Sequence, residues 1–194
     1  MTPQQAADAL CTPQLVGLRQ QFQQAGHDLR FVGGCVRDSL LGAQPHDVDL
    51  HTDATPEEQV HIYQQLGVHH IPTGMDHGTI TVVLEGDTYE ITSLRLDVAT
   101  DGRRATVAYT RDWLADLDRR DFTFNSMSLG FDGDLMDPHD GLRDLEAGVV
   151  RFVGVAQDRV REDALRILRW FRFRARFGMR PDNEAVSYTH LRAH

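Results

Sequence analysis

The chain has 194 residues, a mass of 21.9 kDa and a formal net charge of −9 at pH 7. Hydrophobic residues make up 41% of it and charged residues 25%, proportions that are typical of globular proteins and that exclude a wholly disordered or fibrous chain. The sequence has neither a run of about 18 apolar residues nor a basic segment followed by an apolar one. We therefore expect a cytoplasmic protein without a membrane partner, and no feature of the sequence identifies a protein partner.

The first half of the chain is predicted to alternate between helices and strands, on the basis of apolar spacing, cap residues and glycine stops. The predicted elements are a helix from Thr2 to Ala25, a strand at 28–34, a short helix at 35–42, a strand at 46–52 and a helix at 56–67.

The second half begins with a predicted hairpin of two strands, 78–86 and 87–95, which meet at Gly86-Asp87. Residues 96–112 carry glycine and many charges and are predicted to be a long mobile connection. The remaining predicted elements are a helix from Trp113, short strands and turns at 133–154, and the longest helix at 158–178. A domain boundary is predicted near residues 150–158.

Charge is distributed unevenly along the chain. All 20 basic residues are arginine; residues 1–142 contain 9 of them against 22 acidic residues, whereas residues 143–180 contain 10 against 5. Because arginine binds phosphates and base edges through a planar, forked group, we expect the later segment rather than the earlier one to face phosphates.

Structural metal and disulfide patterns are not found in the sequence. Cys11 and Cys35 lack the spacing of a zinc site, so we expect neither a disulfide nor a structural metal. His69, His70 and His77 lack ligand spacing and are predicted to be solvated residues of a loop.

Two aspartates, Asp47 and Asp49, lie one residue apart in a predicted strand. Alternate strand residues share a face, so both carboxylates should point the same way while Val48 and Leu50 face the core. Two such carboxylates repel each other, and a divalent metal bound between them would offset that repulsion. The metal can also activate an attacking hydroxyl and stabilise leaving pyrophosphate. Solvated aspartates on a surface strand are the alternative. Glu90, on the second strand of the predicted hairpin, would supply a third carboxylate if the strands are neighbours.

A glycine pair precedes the aspartates. Gly33 and Gly34 allow a tight turn into a helix whose first turn contains Arg37, an arrangement that favours a triphosphate cradle. The spacing matches neither the dinucleotide-binding nor the P-loop motif. A plain turn between a strand and a helix is the alternative.

The segment RRDFTFNSMS (119–128) combines charged and amide groups with apolar neighbours: Arg119, Arg120, Asp121 and Asn125. An aspartate next to an arginine can accept a hydrogen bond from a ribose hydroxyl while the arginine reaches a triphosphate. An ion pair that anchors a helix is the alternative.

In the last predicted helix Asp163 and Arg166 are i, i+3 neighbours that present an acceptor and a donor together. Cytosine and adenine each show an amino donor beside a ring-nitrogen acceptor and so fit both groups, whereas uracil and guanine present the reverse order. Arg169, Arg172 and Arg176 could reach phosphate or hold neighbouring groups. An amphipathic helix with solvated arginines is the alternative.

Taken together, these motifs resemble those of the class II tRNA nucleotidyltransferases, which build the 3′-terminal CCA of tRNA, and of the bacterial poly(A) polymerases. The motifs are GGCVRD (33–38), HDVDL (46–50), RRDFTFNSMS (119–128), DPHDGLRDL (137–145) and REDALRILRWFRFRARFG (161–178). They follow the family's order and general spacing over about residues 29–180.

The resemblance implies an α+β fold: a palm-type nucleotidyltransferase head with a mixed or antiparallel sheet flanked by helices, followed by the start of an all-helical neck. The head would comprise residues 1–152 and the neck, with nucleobase recognition, residues 153–184. Residues 185–194 do not resemble the family's continuation, and we expect a truncation or a foreign junction there. Residues 96–112 fall where the family has a flexible segment implicated in the switch from C to A addition.

The resemblance also implies a CTP- and ATP-dependent enzyme that adds or repairs the CCA end, with Mg²⁺ as cofactor and the tRNA 3′ end as partner. The predicted catalytic residues are Asp47, Asp49 and Glu90, of which Asp47 and Asp49 are the predicted metal ligands. The predicted nucleotide-binding residues are Gly33, Gly34, Arg37, Arg120, Asp121, Asn125, Asp163, Arg166, Arg169 and Arg172. A poly(A) polymerase, a CC-adding or A-adding specialist and a non-catalytic nucleotide- or RNA-binding module stay open as alternatives.

Overall fold

A computed structural model of the chain describes residues 1–74, 77–101, 104–177 and 180–181. The helices are α1 (Pro3–Leu10), α2 (Pro13–Gln24), α3 (Gly34–Leu40), α4 (Pro56–Leu66), α5 (Trp113–Asp118), α6 (Gly141–Ala147), α7 (Ala156–Glu162) and α8 (Leu165–Phe177). The strands are β1 (Leu29–Val32), β2 (Asp49–Thr52), β3 (His69–Gly74), β4 (Thr79–Leu84), β5 (Asp87–Ser93), β6 (Arg95–Asp101), β7 (Arg104–Tyr109), β8 (Ser128–Leu129), β9 (Leu135–Met136), β10 (Val149–Val150) and β11 (Arg180–Pro181). None of the helices in these ranges combines the length and the apolarity that crossing a membrane requires.

Seven strands form one sheet in the order β3-β4-β5-β2-β1-β8-β9. The pair β2–β5 is parallel and the other neighbours are antiparallel, so the predicted α+β fold with a mixed sheet is confirmed. All four residues of β1 are buried, as expected for a strand that is covered on both faces. Large side chains from strands and flanking helices share one core, among them Phe22, Phe31, Leu50, Tyr63 and Ile91.

The prediction of one helix from Thr2 to Ala25 is wrong, because the chain breaks between α1 and α2. Cys11 has extended backbone angles, and the Thr12 hydroxyl accepts a hydrogen bond from the backbone N–H of Leu15 at 3.3 Å. Pro13 occupies the first turn of α2, a position that needs no N–H donor; inside a continuous helix its ring would clash with the preceding turn.

The predicted hairpin of β4 and β5 is confirmed, with Leu84 opposite Asp87 at its closed end. Two neighbouring predictions are wrong. Residues 96–112 are not a long connection, because most of them pair in the antiparallel hairpin of β6 and β7. His69 and His70 lie in β3 rather than in a loop, where they are the Cα partners of Val83 and Val82 at the edge of the sheet.

Where one helix is predicted over 158–178, the described residues form two, α7 and α8. Asp163 has extended angles of φ −151° and ψ 109°, and its Oδ1 accepts a hydrogen bond from the N–H of Leu165 at 2.8 Å. This local bond competes with helix continuation and starts α8 afresh. Upstream, within 133–154, α6 lies where only strands and turns are predicted, because both carboxylate oxygens of Asp137 cap its first residues. The predicted tail at 185–194 lies outside the described residues.

Candidate active site

A cleft of about 620 Å³ is lined by segments that are distant in the sequence: the turn at Gly33, strands β2 and β5, residues 119–125, and the stretch from Asp163 into α8. Twelve of the thirteen predicted site residues line it: Gly33, Gly34, Arg37, Asp49, Glu90, Arg120, Asp121, Asn125, Asp163, Arg166, Arg169 and Arg172. The thirteenth, Asp47, lines an adjoining cavity of about 570 Å³, which shares Asp49 and Glu90 with the cleft.

The cleft is strongly cationic although the chain as a whole is acidic. Four carboxylates line it, together with eight arginines: Arg37, Arg95, Arg119, Arg120, Arg166, Arg169, Arg172 and Arg176. Arginines gathered on low-dielectric walls attract anions and suit a polyphosphate.

The turn at the start of α3 brings a backbone close to an arginine. Gly33 has φ +67° and ψ −125°, a conformation that residues with a Cβ rarely adopt, and a Cβ there would lie 3.1 Å from Nη1 of Arg120. A Cβ on Gly34 would lie 3.6 Å from Nη2 of Arg37. Both glycines therefore leave room for guanidinium groups at the wall of the cleft.

Arg37 is buried, and two hydrogen bonds fix its orientation. Its Nε donates to Oδ1 of Asp38 at 2.8 Å and its Nη1 donates to Oδ1 of Asn125 at 2.7 Å. The Nη2 group faces the turn at Gly34 and is the part of the guanidinium that remains for an anion in the cleft.

The carboxylates lie where the two cavities meet. Asp49 begins β2, and Glu90 on β5 is its Cα partner, whereas Asp47 precedes the strand in an exposed bend. Burial raises the pKa of Asp49, and the nearby charges of Glu90 and Asp47 raise it further, against the opposing effect of Arg120. Three negative groups are therefore close enough to interact.

This donor set fits a hard divalent cation. Within the described part of the chain no three histidine, cysteine or acidic side chains converge as ligands of one ion. Mg²⁺, however, is usually bound by one or two carboxylates together with water and substrate phosphates rather than by a protein cage. Asp47 and Asp49, with Glu90 beside them, supply ligands of that type.

Residues 119–125 form a network of hydrogen bonds behind the cleft. Oδ1 of Asp121 accepts from the N–H of Phe122 at 2.8 Å and from Nδ2 of Asn125 at 3.2 Å. Because Asn125 also accepts from Arg37, the network connects this segment with the glycine turn. Nη2 of Arg169, on α8, lies 2.8 Å from Oδ2 of Asp121 and connects the segment with the last helix.

A buried charged cluster, which the sequence analysis missed, supports Arg120. The carboxylate of Asp116 lies 3.0 Å from Nδ1 of His51, 2.8 Å from Nη2 of Arg119 and 3.4 Å from Nη2 of Arg120. Nη2 of Arg120 also lies 3.2 Å from Nε2 of His51. A neutral imidazole that donates from Nδ1 to Asp116 and accepts at Nε2 from Arg120 satisfies both contacts.

The pKa shifts of this cluster agree with its geometry. Burial lowers the pKa of His51 to about 4, and Asp116 opposes that change only in part. Burial alone would raise the pKa of Asp116, but His51, Arg120 and Arg119 outweigh it and hold the pKa below its usual range. At neutral pH the cluster therefore contains an ionised aspartate, two guanidinium groups and an uncharged histidine.

Asp163 and Arg166 both line the cleft, but they are held differently from the prediction. Asp163 is the residue that separates α7 from α8 and not part of a continuous helix. Arg166, in the first turn of α8, donates from Nη1 to Glu162 at 2.7 Å and from Nη2 to the backbone carbonyl of Arg119 at 3.2 Å. Glu162 thus fixes the Arg166 side chain at the wall of the cleft.

Some cleft residues carry no predicted role, and each had a different sequence signal. His51 is two residues after Asp49 in β2, so alternation along a strand would have placed it on the same face. Arg176 is not one of them, because it is predicted together with Arg169 and Arg172 to reach phosphate or hold neighbouring groups, and it too lines the cleft. Arg95 belongs to the hairpin of β6 and β7, which the sequence analysis did not predict.

Comparisons with known proteins identify the family of the chain. The model of the poly A polymerase head domain matches residues 29–151. The chain is 51% identical over 175 residues to the mitochondrial CCA tRNA nucleotidyltransferase 1 of Danio rerio, covering 90% of this chain and 41% of that protein. It is 43% identical to the CCA-adding enzyme of Lactobacillus gasseri over 88% of this chain and 43% of that one.

Among solved structures, the CCA-adding enzyme of Bacillus stearothermophilus in complex with CTP has a TM-score of 0.80 and 37% identity, covering 90% of this chain and 42% of that one. The chain therefore spans about two fifths of the length of these relatives. Because the family model matches well over half of its residues, the chain belongs to the poly A polymerase head domain family.

Proposed function

We propose that this chain is the head and the start of the neck of a nucleotidyltransferase that adds or repairs the 3′-terminal CCA of tRNA from CTP and ATP. The observation that carries the proposal is the single cleft in which carboxylates, a glycine turn and residues of α8 meet. The names of the relatives from Danio rerio and Lactobacillus gasseri support the CCA-adding activity.

The reaction we propose is attack of the RNA 3′-hydroxyl on the α-phosphate of the nucleotide. A new P–O bond forms, the bond to the β-phosphate breaks, and pyrophosphate leaves. Enzymes of this kind generally use divalent metals, and we propose Mg²⁺ held by Asp47 and Asp49 with Glu90 beside them. When bound, the ion supplies positive charge that lowers the pKa of the hydroxyl and neutralises phosphate oxygens.

The other residues bind and orient the nucleotide in this proposal. Gly33 and Gly34 give the triphosphate room at the wall of the cleft, and Arg37 contacts the leaving phosphates through its remaining Nη2 edge. We assign ribose contacts to the segment that contains Arg120, Asp121 and Asn125.

Base selection is assigned to Asp163 and Arg166. A carboxylate accepts from the amino group of cytosine or adenine while a guanidinium donates to the adjacent ring nitrogen. Uracil would place a carbonyl against the carboxylate and leave buried polar groups unpaired, at a cost of about 1–3 kcal/mol each. Arg169 and Arg172, about one and two turns further along α8, are assigned to phosphate contact or to holding the first two groups.

The domain division and the location also remain proposals. We assign residues 1–152 to the head and 153–184 to the neck. We expect the cytoplasm as the site of action, whereas the name of the Danio rerio relative gives that protein as mitochondrial.

The test is incorporation of labelled nucleotides into a tRNA transcript that lacks its CCA end. The full chain is incubated with this transcript, Mg²⁺ and CTP, ATP, UTP or GTP, each separately and then CTP with ATP. Addition of two C residues and then one A supports the proposal. Long A tracts would identify a poly(A) polymerase, and nucleotide binding without incorporation would identify a non-catalytic module; either result contradicts CCA addition by this chain.

A further inference from the structure

Two phenylalanine rings near the end of α8 lie against the Arg37 guanidinium. Cζ of Arg37 is 5.1 Å from the ring centroid of Phe173 and 5.1 Å from that of Phe177, and the two rings stack at 5.9 Å with an interplanar angle of 12°. Both distances are within the ~6 Å over which an aromatic face attracts a guanidinium. We infer that Phe173 and Phe177, the ring pair, are positioning residues that aim Arg37 at the triphosphate of a bound nucleotide; the inference rests on the proposed function.

Three constraints define the orientation of Arg37. Asp38 and Asn125 accept hydrogen bonds from its Nε and Nη1, and both rings of the ring pair have their centroids 5.1 Å from its Cζ. A guanidinium is planar and rigid, so these contacts leave the Nη2 edge directed at the turn at Gly34. Without the ring pair only the two in-plane hydrogen bonds hold the guanidinium, and its tilt is less restricted.

An aromatic ring holds a cation in a way that a carboxylate does not. Its quadrupole attracts the guanidinium, yet the ring has no net charge and leaves the positive charge available to a phosphate. The same two rings also support Arg172, whose Cζ is 5.5 Å from Phe173, and Arg176, whose Cζ is 5.1 Å from Phe177. The ring pair therefore gathers three arginines of the cleft wall and adds no negative charge of its own.

Phe177 allows this role to be separated from direct contact with the nucleotide. Phe173 lines the cleft, whereas Phe177 does not, so Phe177 acts on a ligand in the cleft through the groups that it contacts, namely Phe173 and the arginines. Arg37 is on α3 and Phe177 on α8, so the contact connects the proposed triphosphate site in the head with the helix that carries the proposed base-reading residues.

The test is binding of CTP, CMP and pyrophosphate to the full chain, measured by calorimetry with Mg²⁺ and without RNA. Phe177→Leu keeps an apolar side chain but removes the ring face. We expect it to weaken binding of CTP and of pyrophosphate about threefold to tenfold, the range for one partly desolvated cation–π contact, and to change CMP binding less than about twofold. Phe177→Tyr keeps the ring and should bind all three like the unmodified chain.

Phe171→Leu is the matched control, because Phe171 belongs to the same helix, is 52% exposed and does not line the cleft. It should leave binding of all three ligands unchanged. In an Arg37→Gln background, Phe177→Leu should weaken CTP binding by a smaller factor than in the unmodified chain, because only the contact of Phe177 with Arg176 remains to be lost.

The outcomes separate the inference from the proposed function. An equal loss for CMP and CTP, a full additional loss in the Arg37→Gln background, or unchanged CTP binding in Phe177→Leu overturns the positioning role alone. If the unmodified chain binds neither CTP nor pyrophosphate, the proposed function fails and the inference fails with it.

Discussion

Asp49 and Glu90 are Cα partners across the parallel strands β2 and β5, so two carboxylates from distant parts of the chain lie side by side where the cavities meet. Crowded carboxylates favour a bound cation, because without one they repel each other. We therefore expect Asp49→Asn to abolish nucleotide incorporation, as should Asp47→Ala. CTP binding should persist within a few fold, since the arginines of the cleft remain. Incorporation and calorimetric CTP binding are measured on the same samples.

Glu57→Gln, on the exposed side of α4, is the control for removal of one negative charge and should leave both measurements unchanged. Turnover by Asp49→Asn at the rate of the unmodified chain would rule out the proposed metal ligand. Glu90→Gln tests the third carboxylate. A loss of nucleotide incorporation similar to that of Asp49→Asn would assign Glu90 to metal binding as well.

Asp163 has two roles that substitution can separate. Its Oδ1 caps α8, and its carboxylate is the proposed acceptor for an amino group of the base. Asp163→Asn keeps an oxygen for the cap but adds an amide donor that can pair with the O4 carbonyl of uracil. We expect the preference for CTP over UTP to fall about tenfold or more, with little change in stability. Competition between labelled CTP and UTP in the incorporation assay measures the preference.

Asp158→Asn is the control for this change, because Asp158 is an exposed residue of the preceding helix and its side chain is 57% accessible. It should keep the preference of the unmodified chain. An unaltered preference in Asp163→Asn would exclude Asp163 from base selection.

Local patterns account for the parts of the fold that the sequence predicts correctly. The hairpin of β4 and β5 is contiguous, and alternating β-branched residues with a Gly86-Asp87 turn specify it without any distant partner. Where two local signals compete, the prediction is wrong. At Asp163 helical spacing continues through the residue, but its side chain bonds to the backbone two residues on and starts a new helix.

Contacts between distant segments could not be predicted from the residues alone. His51 is visible in the sequence only as a neighbour of Asp49, and its function depends on Asp116 and Arg120, which the fold brings to it. The contact of Phe177 with Arg37 similarly joins α8 to α3, the helix that begins at the turn of Gly33 and Gly34. The repeat of two residues in a strand, or of 3.6 in a helix, predicts the face on which a side chain lies. It does not predict which group from another segment that side chain contacts.

The conformation of Gly33 predicts a selective effect on nucleotide binding. Gly33→Ala places a Cβ at φ +67° and 3.1 Å from Nη1 of Arg120, so either the turn or the guanidinium must move. We expect the unfolding free energy to fall by about 1–3 kcal/mol and CTP binding to weaken about tenfold. Urea denaturation and calorimetry measure the two effects.

Gly67→Ala provides the matched control. Gly67 also has positive φ, +63°, at the end of α4, but a Cβ there would meet nothing within 4 Å. It should lower the unfolding free energy by about 1 kcal/mol and leave CTP binding unchanged. If both variants bind CTP like the unmodified chain, the turn at Gly33 has no part in nucleotide binding.

Asp116 is the central charge of the cluster behind the cleft, and its removal should be costly. Asp116→Asn removes the anion that His51, Arg119 and Arg120 contact in a buried site, where loss of one member of an ion pair costs about 3–5 kcal/mol. We expect a decrease of that size in the unfolding free energy at pH 8, measured with urea. Asp118→Asn, whose side chain is 62% accessible, is the control and should be within about 0.5 kcal/mol of the unmodified chain.

The same cluster predicts how stability depends on pH. The pKa of His51 is about 4 in the fold, against about 6.5 in an unfolded chain, so between these values the unfolded state binds a proton that the folded state does not. The contribution of His51 is therefore complete above about pH 6.5 and decreases until about pH 4. The pKa of Asp116 is lowered in the fold, so its contribution to stability is present above about pH 4 and is lost below that value.

Urea denaturation of the unmodified chain and of His51→Gln at intervals from pH 8 to pH 4 measures the contribution of His51. Between pH 6.5 and 4 the unfolding free energy of His51→Gln should decrease less steeply than that of the unmodified chain. Equal slopes in the two proteins would mean that His51 takes up its proton in the fold as it does in the unfolded chain, so that its pKa is not lowered.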